Sequence, residues 1–257
     1  MLELYQWKPT ATSARVLICL HEKNIEYTAK YVDLMSLEQF AEPFLSINPR
    51  AQVPVLVVDG RPMYESVVIN EYLEEAYPEV PLAPRDPKGW YDQQGWTKFL
   101  DYNLCNSVAT LGWWLRTRPS LSAEQVGALA LKASSIPVPE RKDAWLQALA
   151  DEPVADQLDN SRRKVELTLN RMENALEERQ WLLGEEYSLV DIAAFPHVRC
   201  LADLTPDLMN ADLTPSVCQW VERVSQRPAV KAAMSCFVGP NDGMPPYAPG
   251  PEHSRWG

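Results

Sequence analysis

The stretch Ile47-Asn48-Pro49-Arg50-Ala51-Gln52-Val53-Pro54-Val55-Leu56-Val57-Val58, followed by Tyr64-Glu65-Ser66, decides how the rest of the chain is read. Val55 to Val58 is a short β-branched run stopped by Asp59-Gly60. That pattern predicts a strand, a tight turn and a second strand over Arg61–Met63. Pro54 cannot donate to a sheet ladder, so it belongs at the strand start, a place where some X–Pro bonds are cis. Glu65-Ser66 then opens an amphipathic segment in which Val67, Val68, Ile69, Tyr72, Leu73 and Ala76 are spaced for one buried face. Ser66 is the natural N-cap of that helix. A helix start with a hydroxyl and unpaired amides attracts an anion. Residues 52–66 therefore offer a peptide-pairing edge beside an anion pocket.

Towards the N-terminus, Leu2 to Trp7 alternates as a first strand, and Lys8 to Ser13 is a polar loop. Ala14 to Lys23 is helical, with Val16, Leu17, Cys19 and Leu20 facing inward. Glu26 to Val32 is a second strand, and Glu38 to Leu45 a short, weakly patterned helix. The order β-α-β-α-β-β-α predicts a mixed sheet with helices on both faces. Towards the C-terminus, Glu79 to Pro87 holds too many prolines for an element and reads as a linker. From Lys88 the period is helical, over 89–116, 121–135, 140–150, 154–178, 188–203 and 215–227. Ser188-Leu189-Val190-Asp191 is a capping box whose role is folding, with Tyr187 placed as its staple residue. The tail 237–257 is rich in Pro and Gly, and either disorder or draping across the body suits it. There is no internal repeat.

The 257 residues suit one large or two small domains, and the hydrophobic share of 46% supports a substantial core. A net charge of −11 argues against nucleic acid, which wants a basic stripe, and against anionic membranes. No apolar run is long enough to span a bilayer, and the opening Met1-Leu2-Glu3-Leu4-Tyr5 lacks the pattern of a secretory leader. The five cysteines are scattered, which fits reduced thiols of the cytoplasm better than a disulfide frame or zinc site. The three histidines have no metal-ligand spacing, so no metal is expected.

Asn48-Pro49-Arg50-x-Gln52-Val53-Pro54-x-Leu56, then Glu65-Ser66 before a helix with Tyr72-Leu73, resembles the glutathione-binding signature of glutathione S-transferases. The resemblance implies a thioredoxin-like α/β domain over 1–78, a linker over 79–87 and an all-α domain over 88–236, with the tail over 237–257. It implies glutathione as co-substrate and a homodimer. Such an enzyme must hold glutathione as thiolate, although a free thiol has a pKa of about 8.5. A hydroxyl at the start of the first helix, aided by the helix dipole, does this. By resemblance Ser13 is the catalytic serine; the plain alternative is an N-cap. Thr12 and Thr10 could substitute, and Tyr5 is a weaker rival on the first strand. Cys19 lies too far into the helix for thiol–disulfide exchange and reads as core.

For glutathione, Val53 should pair its backbone with the cysteinyl part beside Pro54. Ser66 should hold the γ-glutamyl carboxylate and Glu65 the ammonium, with Gln52 adding a polar contact. Gln39 could reach the glycyl carboxylate. The second substrate should sit against the first long helix of the all-α domain, where aromatics are dense. Trp7, Tyr102, Asn103, Trp113 and Trp114 are the candidate lining, suited to a flat aromatic molecule.

Across nearly its whole length the chain looks like the bacterial glutathione-dependent β-etherases, which cleave β-aryl ethers from lignin. Ala11-Thr12-Ser13, Glu65-Ser66-Val67-Val68-Ile69, Trp96-Thr97-Lys98, Leu111-Gly112-Trp113 and Ile136-Pro137-Val138-Pro139-Glu140 carry this resemblance. It points to the branch attacking an S-configured β-carbon. Thr12 departs from it, standing where asparagine is expected. Two other functions share these residues: a transferase that conjugates or dehalogenates electrophilic aromatics, and a non-catalytic module that binds a protein partner.

Overall fold

The computed structural model describes residues 1–236; the expectation for the tail 237–257 lies outside them. Four strands form one sheet in the order β2-β1-β3-β4: β1 (Leu2–Gln6), β2 (Thr28–Tyr31), β3 (Val55–Val58) and β4 (Arg61–Met63). β1 runs parallel to β2 and antiparallel to β3, with Leu4 opposite Leu56, and β3–β4 is a hairpin. The turn of that hairpin is Asp59-Gly60, with Gly60 at φ +83°, a conformation that glycine adopts without a Cβ clash. This is the expected mixed, thioredoxin-like sheet.

Helix α1 (Ala11–Glu22) begins three residues before the sequence pattern suggests. The loop hydroxyls Thr12 and Ser13 are therefore in its first turn, and the N-cap is Thr10, which makes no side-chain cap bond. The weak helix over 38–45 resolves into a 3-10 turn, Glu38–Phe40, and α2 (Phe44–Ile47). Pro43 follows a cis bond between them, as Pro54 does at the head of β3. In α3 (Ser66–Ala76) the N-cap is Glu65 and Ser66 is the first helical residue, correcting the expected cap by one position. Its buried face is Ser66, Ile69, Asn70 and Leu73, whereas Val68 and Ala76 are exposed.

The segment after α3 is firmly held. Leu82 is buried, its amide donates to the Glu74 carboxylate at 3.0 Å, and its carbonyl accepts from Leu189 at 2.8 Å. α4 (Pro87–Leu100) continues through a π-helical turn (Asp101–Cys105), α5 (Asn106–Gly112), a second π-helical turn (Trp113–Thr117) and α6 (Arg118–Ser120). π turns widen a helix by one residue and often occur at functional sites. Then come α7 (Ala123–Ala133), α8 (Pro139–Ala148), α9 (Gln157–Leu176), α10 (Leu189–Val198), α11 (Leu201–Leu204), α12 (Pro215–Ser225) and α13 (Pro228–Ser235). The helix expected over 188–203 is thus two helices, and α13, opened by Pro228, went unread. The Ser188–Asp191 capping box forms as expected.

One apolar core joins the two units, running from Leu4, Leu17 and Leu56 through Leu104 and Val165 to Phe195 and Trp220. Two smaller clusters flank it. One lies beneath the sheet around Trp7, Val32, Phe44 and Val55. The other joins α7 and α8 to the loops around residues 37 and 51. Among the described residues no helix is long and apolar enough to cross a membrane, and all five cysteines are free thiols.

Candidate active site

A small polar cleft opens where the head of β3, the start of α1 and the start of α3 meet. It is lined by Thr12, Asn48, Arg50, Gln52, Val53, Pro54, Tyr64, Glu65 and Ser66. Its volume is about 60 Å³. That is room for a few waters or one charged head group.

The walls are held by local bonds. Asn48 is buried; its Nδ2 donates to the Gln52 carbonyl at 2.8 Å and its Oδ1 accepts from the Arg50 amide at 3.0 Å. Between those residues Ala51 sits in the left-handed region, φ +55°, and is fully buried. The Tyr64 hydroxyl donates to the Ile47 carbonyl at 2.8 Å, closing the loop against β4. Glu65 is also left-handed, φ +66°, a strained state for a residue with a Cβ and one that concentrates at functional sites. Its carboxylate is ion-paired with Arg50, both groups more than half exposed at the mouth. Behind it the first amides of α3 lack intrahelical acceptors, the first α-helical bond being Ile69 to Glu65.

A buried cation backs this anion pocket. Arg15 is 1% exposed, and its Nη1 donates to Ser66 Oγ at 3.4 Å and to Asp101 Oδ1 at 2.8 Å. Its Nε donates to the Ala193 carbonyl at 2.8 Å and its Nη2 to Cys105 Sγ at 3.0 Å. Because Ser66 Oγ accepts from Arg15, the Ser66 proton is left to donate into the cleft. Burial pushes the Cys105 thiol up to about 12 in spite of Arg15, so this sulfur stays protonated. Burial likewise pushes Cys19 upward, and that residue is core, as read.

At the other wall, the amides of Ala11, Thr12 and Ser13 open α1; the first bond back into the turn is Ala14 to Thr10 at 3.1 Å. Thr12 lines the cleft and its Oγ1 donates to the Val53 carbonyl at 3.3 Å, a long and weak bond. Ser13, one residue on, is 4% exposed and is not part of that lining.

Of the residues singled out from sequence, Gln52, Val53, Pro54, Glu65 and Ser66 are brought together, with Thr12 beside them. Gln39 is not: it is fully buried in the 3-10 turn and is not part of the cleft lining. Trp7 is core: one residue past the end of β1, it packs in the cluster with Val55 and Phe44. Trp113 is core too, with Nε1 donating to the Ala148 carbonyl at 2.7 Å and its ring edge-on to Trp145. Asn103 is buried and donates within its own helix to the Phe99 carbonyl. Tyr102 is half exposed, with Lys164 over its ring at 4.7 Å, and Trp114 is half-buried. Arg15, Arg50, Asn48 and Tyr64 were given no role from sequence. For Arg15 the signal was present: a lone cation inside the apolar run Ala14 to Leu20.

Comparison with known proteins places the chain clearly. Residues 11–76 match the glutathione S-transferase N-terminal domain and residues 128–228 the C-terminal domain. Protein LigF of Sphingobium sp. is 36% identical over 245 residues, covering 90% of this chain and 91% of LigF. The crystal structure of that protein, described as a β-etherase, superposes with a TM-score of 0.81 over 90% of this chain and 98% of that one. Glutathione S-transferase F4 of Arabidopsis thaliana is 29% identical, covering 87% of this chain and 81% of that protein.

Proposed function

We propose, for a chain that belongs to the glutathione S-transferase family, that its reaction is glutathione-dependent cleavage of β-aryl ethers in lignin-derived α-keto aromatics. The observation that carries this is the relation to a β-etherase along nine-tenths of both chains, the helical half included.

Glutathione lies with its γ-glutamyl end in the polar cleft. Its carboxylate takes the Ser66 hydroxyl and the first amides of α3, and its ammonium takes Glu65, with Gln52 alongside. The cysteinyl N–H pairs with the Val53 carbonyl beside the cis Pro54. That pairing displaces the weak Thr12 bond and frees the Thr12 hydroxyl to donate to sulfur at the N-terminus of α1. Ser13 is the second hydroxyl of the same turn and the other candidate donor. The thiolate attacks Cβ, made electrophilic by the adjacent carbonyl. The S–Cβ bond forms, the Cβ–O bond breaks, and its electron pair leaves on the aryloxide. Phenols have a pKa of about 10, so this leaving group departs without a metal or a strong acid. The products are a phenol and the glutathione thioether of the ketone. Tyr102 and Trp114 are the accessible aromatics for the ether's rings. The boundary between the α/β and helical domains falls in 79–87. The working state is a cytoplasmic homodimer, for which exposed Val68, Trp90 and Tyr91 offer apolar surface.

The test is incubation of glutathione with a racemic guaiacyl β-ether ketone carrying a fluorescent phenol. Release that stops near half the racemate is the expected, stereospecific result. Retention on immobilised glutathione without any phenol release would leave a transferase of different substrate.

A further inference from the structure

The cluster that joins α7 and α8 to the α/β unit contains two strained residues. Leu37 is left-handed, φ +59°, and Ala51 is left-handed, φ +55°. Both are buried in one apolar cluster with Phe40, Trp113 and Trp145. A non-glycine residue is strained in this region and persists only where its surroundings over-determine it. Ala51 stands between Arg50 and Gln52, which line the cleft, and Leu37 is the N-cap of the 3-10 turn Glu38–Phe40. The surroundings that hold both come largely from the helical half. Trp145 is fully buried at the centre of α8, and α8 is fastened to the long helix by the Trp113–Ala148 bond and the edge-on ring pair at 5.8 Å.

We propose that the α7–α8 pair is a roof that sets the conformation of the glutathione loop, and that Trp145 is its positioning residue. The proposal rests on the cleft being the glutathione site. Trp145 touches no ligand; it acts through Ala51 on the spacing of Arg50, Gln52 and Val53. A loop that holds its binding form only a tenth of the time binds about tenfold more weakly. Loss of the roof therefore appears far more in glutathione affinity than in recognition of the ether, because Trp114 packs only on the rim of the cluster and Tyr102 lies outside it.

The experiment compares the unaltered protein with Trp145→Ala and Trp145→Phe, and with the milder Leu129→Ala in the same cluster in case the first variant does not fold. Glutathione affinity is read by calorimetry, and KM for each substrate and kcat by phenol release. Expected are a glutathione KM raised about tenfold in Trp145→Ala, an ether KM and saturating kcat within about twofold, and recovery of most affinity in Trp145→Phe. Leu129→Ala should show the same split at smaller size. Unchanged glutathione affinity, or parallel loss for both substrates with no recovery by phenylalanine, would overturn the proposal. If the unaltered protein failed to bind glutathione, the reading of the cleft itself would fall.

Discussion

Replacing Thr12 by valine is the sharpest perturbation of the mechanism, because it removes one hydroxyl and almost no volume. The Thr12 Oγ1 donor is weakly engaged with the Val53 carbonyl, at 3.3 Å, in a cleft wall. On the proposed mechanism it donates to a thiolate in the bound state. A hydrogen bond to a charged group contributes about 1.5–3 kcal/mol. At 1.36 kcal/mol per pKa unit, its loss raises the bound thiol by about 1–2 units. The open amides of α1 remain, and a helix terminus contributes about 0.3–1 kcal/mol, which alone holds the thiol less than about one unit below its free value. Thr12→Ser keeps the donor and should keep the pKa.

The assay is the ultraviolet absorbance of the enzyme-bound glutathione thiolate as a function of pH, paired with the pH profile of kcat/KM for phenol release. In Thr12→Val both curves should move alkaline together, with neutral-pH turnover falling about tenfold or more once the thiol titrates above the working pH. Ser13→Ala should move them by much less, since that side chain is 4% exposed and does not line the cleft. The reverse result, an unmoved curve in Thr12→Val and an alkaline shift in Ser13→Ala, would refute the hand-over and place sulfur on Ser13.

Three further outcomes follow from the geometry. Arg15→Met should lower stability to urea by about 3 kcal/mol, the low end for a broken buried pair because Asp101 can regain water; it should also weaken glutathione, because the Ser66 proton loses its orientation. Asp191 is buried and accepts from Ser188, Leu182 and Trp220, so Asp191→Asn should cost about 2–3 kcal/mol by setting a donor against donors. Burial holds its carboxyl above the ordinary range. Its contribution is then full below a pH of about 4 and is lost as pH rises through the elevated folded value, so the stability gap to the Asn variant should narrow with rising pH; a gap that widens would contradict this. Glu65→Gln should raise the glutathione KM while sparing saturating kcat, which initial rates at fixed ether would check, because the carboxylate binds the ammonium and not the reacting sulfur.

The fold was legible where local rules are strong. The Val55–Val58 run, the Asp59-Gly60 turn and the Ser188 capping box each follow from a few adjacent residues, and each formed as read. Gln52 to Pro54, Glu65 and Ser66 come together in one cleft for the same reason, since they carry their own turn and helix-start chemistry. The aromatic lining was not. Alternation along a strand cannot say which face is roofed, and Trp7 lies beneath β2, β3 and α2. Trp113 and Trp114 differ by one helical step, and only the position of Trp145, thirty-odd residues away in sequence, decides which is core. Gln39 lies fully buried in the 3-10 turn, a placement its weakly patterned segment did not foretell. Arg15 was missed because its partners come from three other elements.

Those partners explain why the site needs both halves of the chain. A buried guanidinium without a counter-charge is prohibitively costly, and the α/β unit supplies Arg15 only with the Ser66 hydroxyl. The carboxylate of Asp101, the Ala193 carbonyl and the Cys105 sulfur all come from the helical half. On that account the anion pocket at Ser66 keeps its geometry only while the π-helical turn over Asp101–Cys105 and α10 are docked. The opposite wall obeys the same rule through Ala51 and the α7–α8 roof. On the proposed reading, glutathione is held by a surface encoded in the first third of the chain but kept in shape by the remainder. An aromatic ether docking on the helical half, as proposed, would meet a thiolate whose position that same half has already set.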